Sequence, residues 1–466
     1  MPIGSRLCCA CILLSACAVP KYDDFPYIQR TLAERDLPDV HWNLGTPEDQ
    51  IVAGRVTALL QTDLTVGSAV QIALLNNRRL QGLYERFGIA QAEVAAASHL
   101  RNPELLSAIQ IADHGSIGLE SFVMRPFLDI FAAPTRRRVA EHTFAATRAR
   151  VTGAIIAFVA EVQAAFYSYQ ATQQIVALRQ SALGAAETAY NRALAQHGAN
   201  ETSDLDLARE RAFLEQARLD VASVEATSRQ HREDLNALLG LWANRTEWRA
   251  VATLPPVPAD DTVVEGIETR AIGRSLDLET QRCSIEAAGQ MLELARGTSF
   301  FADTQLGTSA GREVVDGFWR GGLAIAVPIP IWNQGQTRNA AALAAFRRLQ
   351  ERYASSAVEI RARARALTVA LDAARAQESF HREVLVPLCE RVLDEIERAS
   401  TESTAIERLR ARQAEVDARR AQIAALRSYW LLRVELDQLL NGSRRVRADS
   451  ALDAADAALA LPAPAV

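Results

Sequence analysis

The feature that most constrains this chain is an internal duplication with a period of about 200 residues. Each half opens with a helical segment, Val66 to Leu100 and Val263 to Arg296, and continues through two short alternating runs. A very long helical pattern follows in each, then a tight polar break and a return helix ending in Leu238-Leu239-Gly240 or Leu439-Leu440-Asn441, 201 residues apart. Between the halves, Pro255-Pro256-Val257-Pro258 with Asp260 and Asp261 reads as a linker, because proline stops helix and favours extended chain. The expected organisation is a targeting segment at 1–16, an N-terminal extension at 17–62, a first repeat at 63–241, a linker at 242–262, a second repeat at 263–442 and a tail at 443–466.

The long helices are patterned for pairing. Outbound in the first half, Phe144, Val151, Ile155, Phe158, Val162, Phe166, Tyr169, Thr172 and Val176 recur at mostly three- and four-residue spacing, the stripe of a coiled coil. The return offers Leu205, Ala208, Ala212, Leu219, Ala222 and Ala226 at heptad-compatible positions. In the second half, Ile360, Ala364, Leu367, Leu371 and Ala374 run outbound, with Leu409, Val416, Ile423 and Trp430 on the return. From Arg138 to His197 the first outbound pattern has 60 residues, about 90 Å of helix. Two helical hairpins per chain are expected.

The breaks between paired helices carry the same chemistry twice. Ser203-Asp204-Leu205-Asp206 and Thr404-Ala405-Ile406-Glu407 each place a hydroxyl three residues before a carboxylate, the pattern of a helix N-cap. Gly198 precedes the first break and reads as the C-terminal cap of the outbound helix. Glu201, Asp204 and Asp206 would form a carboxylate ring attracting cations if several copies of this tip surrounded a pore. Cap chemistry on a solvated turn accounts for Asp206 equally well.

The short runs have the length of tilted barrel strands. Pro103 to Ile111 and Leu119 to Leu128 form the first pair. In the second half, Phe300, Ala302, Thr304 and Leu306 alternate with Asp303 and Gln305, and Trp319, Leu323, Ile325, Val327, Ile329 and Ile331 share a face. Pro328 and Pro330 suit a strand end. No stretch after the N-terminus offers the roughly 18 uncharged apolar residues of a membrane helix, so a membrane crossing would need a closed barrel. Four strands cannot close one, for which eight is the practical minimum. The chain would have to oligomerise.

Composition excludes several classes. With 49% hydrophobic and 23% charged residues over 466 positions the chain can build cores, and a net charge of −5 supplies no basic field for nucleic acid. There is no phosphate loop, nucleophile elbow or metal-ligand cluster, so neither catalysis nor a cofactor is expected. None of the seven histidines forms an i, i+3 or i+4 pair, and His197, beside the first tip, is the one candidate pH-sensitive contact. Arg136, Arg137 and Arg138 follow the second strand, as an interfacial anchor or a solvated charge run. Cys283 and Cys389 show no disulfide framework and read as buried thiols, with a single bridge between them in an oxidising compartment as the alternative. At the N-terminus, Arg6, the apolar run Leu7 to Leu14 and the close Leu14-Ser15-Ala16-Cys17 read as a targeting segment that looks like a bacterial lipobox, predicting cleavage before Cys17 and lipidation of its thiol and amine; a plain signal peptide cut elsewhere, or a short anchor helix, is the alternative. Ala18 is not the aspartate that retains such lipoproteins in the inner membrane.

The sequence resembles the TolC-type outer-membrane efflux protein family. The likeness is carried by Leu64-Thr65-Val66 through Leu74, Asn76, Asn77 and Leu80, by Val327-Pro328-Ile329-Pro330-Ile331-Trp332-Asn333-Gln334-Gly335-Gln336, and by the tip from Gly198 to Arg211 with Ser203, Leu205 and Ala208. It spans roughly residues 60 to 441. It implies a mainly α fold with a small β part: long antiparallel coiled-coil hairpins plus four strands per chain that join a twelve-stranded barrel in a homotrimer. The tips, including Thr404 and Glu407, would meet a periplasmic adaptor joined to an inner-membrane pump. The lipobox and the Pro-Ile-Pro-Ile-Trp-Asn-Gln-Gly-Gln stretch look most like the heavy-metal cation branch (CzcC- and CusC-like). The second tip, Ser400 to Thr404, departs from the family in lacking a glycine, and about seven residues join Ala112 to Leu119, which leaves little extracellular lid. Two rivals share these features in part: a periplasmic coiled-coil scaffold lipoprotein without a pore, which has no use for membrane-length strands, and the outer-membrane duct of a protein secretion system.

Overall fold

A computed structural model describes residues 25–111, 117–126, 128–259, 266–298, 304–312, 318–327, 329, 331–332, 334–399 and 405–444. The targeting segment with Cys17, Phe300 and Ala302, Pro328 and Pro330, Thr404, and the tail from 445 lie outside the described residues. In chain order the elements are α1 (Phe25–Ala33), α2 (Pro47–Leu59), α3 (Val66–Asn76), α4 (Arg78–Ser98), β1 (Glu104–Ile111), β2 (Ile117–Pro126), α5 (Asp129–Gly198), α6 (Asp204–Leu239), α7 (Ile267–Gly273), α8 (Leu276–Gly297), β3 (Gln305–Arg312), β4 (Trp319–Ala326), α9 (Gln336–Phe380), a π-helical turn (His381–Leu385), α10 (Val386–Arg398) and α11 (Ala405–Leu440). The duplication is explicit in α6 and α11, each 36 residues long and starting 201 residues apart.

The chain forms two compact parts, each drawing on both repeats. The first comprises Met1–Ile28, Tyr84–Val151 and Leu276–Ala357. It holds one antiparallel sheet in the order β1-β2-β3-β4, so among the described residues β1 and β4 are its edges. Helical segments pack in the same part. Phe87 meets Phe144 at 5.0 Å between ring centroids, Gln281 donates to Ser356 Oγ at 2.9 Å, and His142 pairs with Glu286 at 3.0 Å.

Cys283 is buried here as a free thiol, and burial, reinforced by Glu279 and Glu286, pushes it up to about 11. Cys389 is half-buried and also free, so only one of the two expected buried thiols is fully enclosed. Iodoacetamide at pH 8 should therefore modify Cys389 within minutes and leave Cys283 intact until the chain unfolds, as read by peptide mass spectrometry.

The second part comprises Gln29–Leu83, Thr152–Ser275 and Val358–Val466. Its core is the predicted outbound stripe: Ile155, Phe158, Val162 and Phe166 of α5 and Ile360, Ala364, Leu367 and Leu371 of α9 are all buried, with Tyr429 and Val434 of α11. Tyr167 stacks on Trp430 at 5.0 Å, and Trp430 Nε1 donates to Pro255 O at 2.8 Å, which ties the proline linker to the return helix. One 18-residue stretch of α5 is, against expectation, apolar enough to cross a membrane by composition. Two-thirds of that stretch is buried, so its apolar character serves the core.

Three expectations are corrected. The segment from Val66 to Leu100 is broken at Asn77, whose extended backbone (ψ 123°) ends α3, and its counterpart is broken between Gly273 and Leu276. The outbound helix begins at Asp129, not Arg138, because Pro134 is accommodated inside it. The first strand of the second half covers Gln305–Arg312, running past the expected end at Leu306, while Phe300 to Asp303 lie outside the described residues.

The Asn77 break is a junction. Its Nδ2 donates to Leu238 O at 2.8 Å and Ala237 O at 3.3 Å, while its Oδ1 accepts from Arg79 N at 2.8 Å and Leu80 N at 3.3 Å. One side chain thus satisfies donors at the start of α4 and acceptors at the end of α6. Asn76 adds bonds to Leu239 O and Gly240 O at 2.9 and 2.8 Å. Gly240 is left-handed (φ 67°), and a Cβ there would lie 2.9 Å from Asn76 O. Asn77→Ala should cost about 2 kcal/mol, the upper end for a lost N-cap, because carbonyls are orphaned as well. Faster amide exchange at both helix ends would show it.

Candidate functional site

Two places carry the chemistry expected of this chain: the sheet in the first part and the first hairpin tip in the second.

Strand register sorts the sheet into two faces. Leu105 faces Val123, which faces Thr308, which faces Leu323; Ile109 likewise aligns with Leu119, Arg312 and Trp319, and Leu306 with Ile325. This face carries Leu105, Ile109, Ile111, Leu119, Val123, Leu306, Trp319, Leu323 and Ile325, and several are strongly exposed: Leu105 69%, Ile109 68%, Leu323 82%, Ile325 65%. Large side chains in water at this density need an apolar environment. The same face holds Ser107 and Ser121, paired opposite one another, and their hydroxyls bond to each other at 3.0 Å. That pairing removes the cost of bare hydroxyls among apolar neighbours.

The opposite face is mixed: Glu104, Glu120, Gln305, Ser309 and Arg320 stand with Leu106, Phe122 and Met124 among Gly307, Gly311 and Gly322. Gly307 allows β2 and β3 to approach, since a Cβ there would strike the Val123 carbonyl.

Just past β2, Asp129 is the buried anchor of the strand-to-helix turn. It accepts from Arg101 N at 3.0 Å and from Arg136 Nη1 at 2.5 Å, with Arg125 at 4.0 Å. Burial pushes its carboxyl up, but the Arg101 N–H and the Arg136 guanidinium outweigh this and hold it below the ordinary carboxylate range. Of the three arginines flagged in sequence, Arg136 is thus a structural partner and Arg137 pairs with Glu141 at 2.8 Å.

At the tip, Ser203 is the N-cap of α6: its Oγ accepts from Asp206 N at 3.1 Å and donates to the Asp206 carboxylate at 2.8 Å. Asp206 also holds Arg209 at 3.0 Å. The predicted cap at Gly198 is corrected. Gly198 is the last helical residue, and the left-handed position is Asn200 (φ 60°). Asn200 N bonds His197 O and Glu201 N bonds Gln196 O, both at 2.9 Å, closing a Schellman motif on an asparagine. Asparagine tolerates this region because its short side chain hydrogen-bonds locally.

His197 spans the turn, with Nδ1 3.0 Å from Thr202 O and Nε2 3.3 Å from Asp204. Asp204 is 96% exposed in its side chain and Glu201 is exposed. Glu407 lies exposed in the first turn of α11, and its cap partner Thr404 falls outside the described residues.

The sequence reading missed Glu210. It is buried on α6 and faces Arg412 of α11 at 3.8 Å, and Arg412 also reaches Glu397 of α10 at 3.3 Å. It missed as well which face of α6 is enclosed. Leu205 (58% exposed) and Leu219 (62%) point outward with Ala208, Ala212, Ala222 and Ala226, while Glu210, Leu214 and Ser228 are buried. Among the described residues the heptad stripe of α6 stays exposed.

No protein-family model and no curated protein matches the chain in sequence. Solved structures do match. A membrane protein from Pseudomonas aeruginosa superposes with a TM-score of 0.68 at 21% identity, over 82% of this chain and 91% of that one. The outer membrane protein VceC of Vibrio cholerae gives 0.65 at 15%, over 82% and 97%. CusC, described in terms of folding and transmembrane channel formation, gives 0.59 at 18%, over 82% and 93%. The chain has a TolC-like outer-membrane channel fold.

Proposed function

We propose that the chain is the outer-membrane exit duct of a tripartite efflux system, built from three copies and passive in transport. The observation that carries this reading is the two-faced sheet with its edge strands. One face is largely apolar and exposed, with Arg125 and Arg312 toward strand ends, the other mixes polar side chains and glycines with Leu106, Phe122 and Met124, and the edge strands β1 and β4 can pair between copies. Twelve strands, from three chains, lie within the range that closes. Strands of eight to ten residues match a tilted crossing. The exposed heptad stripe on α6 supports the same assembly, since a coiled-coil seam exposed on one copy is satisfied by a helix of the next. A scaffold without a pore leaves the apolar face of the sheet unexplained.

In this reading Cys17 carries the lipid anchor, and the tips Gly198–Ser203 and Thr404–Glu407 meet a periplasmic adaptor that links to an inner-membrane pump. The cargo is small molecules or metal cations, chosen by the pump. By TM-score, CusC is no more similar to the chain than the other two structures are, which adds no weight to the heavy-metal branch.

The test is purification from outer membranes and single-channel recording in a planar bilayer. A heat-labile trimer with discrete conductance steps is expected, and a folded protein that neither oligomerises nor conducts would overturn the reading. Asp204→Ala with Asp206→Ala should weaken cation preference under a salt gradient by roughly twofold or more, because exposed Asp204 is repeated three times around the entrance. Unchanged selectivity would leave Asp206 as a helix cap alone.

A further inference from the structure

A cavity of about 440 Å³ lies within the second part, between the loop after α1, helix α2 and the α3–α4 junction. Its floor is apolar, with Val52, Val56 and Leu75. Part of its polar wall is engaged. Asp49 accepts from Gly45 N at 2.8 Å, Thr46 N at 3.1 Å and His41 Nε2 at 2.6 Å, so its charge is already answered from three sides. Asn76 is committed to Leu239 O and Gly240 O, and Asn43 N to Gln81 Oε1 at 2.9 Å. The charged hydrogen-bonding capacity left on the wall, beside the Asn43 side-chain amide, belongs to two guanidiniums, Arg78 and Arg245, which line the cavity from different segments. Neither has a carboxylate or other side-chain partner among the described residues, in a chain where many arginines are paired. Arg78 is also the first residue of the 21-residue α4, so the helix dipole adds to its positive field.

We propose that this cavity is a binding site for an oxyanion, a carboxylate or phosphate group, carried on a short aliphatic body: Arg78 and Arg245 clasp the charge and Val52, Val56 and Leu75 receive the body. The site is preorganised, because the bonds of Asp49, Gln81 and Asn76 fix its wall before any ligand arrives. Guanidiniums supply planar donors matched to carboxylate and phosphate. The inference does not rest on the duct reading, since the cavity is contained in one chain.

The test is isothermal titration of the detergent-purified full chain with three probes. Hexanoate has charge and body, inorganic phosphate has charge alone, and hexanol has body alone. Saturable binding of hexanoate, weakened about tenfold or more by Arg78→Gln and by Arg245→Gln separately, is the expected result. Arg55→Gln, an exposed arginine on α2 outside the cavity, should leave binding unchanged. Hexanoate binding well ahead of phosphate supports the carboxylate with its aliphatic stem; phosphate binding as tightly as hexanoate would overturn the role given to Val52, Val56 and Leu75. The proposal is overturned if none of the anions binds saturably, if hexanol binds as well as hexanoate, or if binding survives both arginine substitutions. Because both arginines are exposed, the variants should keep the wild-type helical circular dichroism. An Arg78→Lys variant, retaining charge without the planar fork, should bind at intermediate strength.

Discussion

Replacing Leu323 with arginine is expected to abolish the heat-labile trimer and its conductance, while Ser309→Arg, on the neighbouring strand but the opposite face, is expected to assemble. Leu323 is 82% exposed and lies opposite Thr308, in the row that runs through Val123 and Leu105 on the apolar face. If that face meets lipid, a guanidinium near the strand's middle costs about 2–4 kcal/mol in each copy. A barrel of three copies carries the cost three times, because none closes without the others. Ser309 sits in the row of Phe122 and Gly322 on the face with Glu104, Glu120 and Arg320. A cation there enters a water-filled lumen, so the Ser309 variant should trimerise and shift conductance toward anions. The pair of substitutions tests the assignment of faces with one residue type. Trimerisation of Leu323→Arg at wild-type yield would mean the apolar face is not lipid-facing.

The register that makes this prediction possible was only partly legible in the sequence. β4 announced itself because Trp319, Leu323 and Ile325 are large and alternate. β3 did not, because its polar-face positions are Gly307, Ser309 and Gly311, and its apolar-face positions after Leu306 are Thr308 and Ala310. A strand whose backbone must approach its neighbour closely gives up the side chains that would reveal it. The duplication, by contrast, was fully readable, since the two return helices keep their length and offset to the residue. Helix starts were less so. Pro134 reads as a boundary in isolation, yet it falls in the second turn of α5, where it removes one helical bond from a 70-residue helix whose start is anchored at Asp129. At the tip, Ser203 and Asp206 were found because a cap is local in sequence. The return seam of α6 went wrong for a related reason: its heptad pattern is real, but periodicity shows only that a helix wants a partner, not that the partner is in the same chain. Glu210 and Arg412 were out of reach altogether, since 202 residues separate them and neither lies in a motif.

Arg412→Met should destabilise the packing of α6 against α11 by roughly 3 kcal/mol, the scale set by stranding one member of a buried ion pair. Glu210 and Arg412 expose only 8% and 14% of their side chains. At 3.8 Å they attract without a hydrogen bond, and Glu210 Oε2 and Arg412 Nη1 have no hydrogen-bond partner. Burial pushes the Glu210 carboxyl up, against the pull of Arg412, Arg408 and Arg192. A carboxyl raised in the folded state costs stability when it ionises, and the cost is relieved as pH falls through its folded value toward the ordinary 4.5. Acidification from neutrality should therefore stabilise this contact, the reverse of the effect at Asp129, whose lowered value makes its contribution disappear in acid. Glu210→Gln should flatten the slope and match or exceed the wild type at neutral pH, because a neutral amide fills the same space without the desolvation of a charge. Arg412→Met should steepen the slope, since the carboxylate loses its nearest cation. Hydrogen exchange of the α6 and α11 amides between pH 5 and 8, corrected for intrinsic rates, reads all three. The double variant, Arg412→Met with Glu210→Gln, should recover most of the single-variant loss. A double variant as labile as Arg412→Met alone would show that Arg412 acts through Glu397, which it also contacts at 3.3 Å, and not through the buried carboxyl.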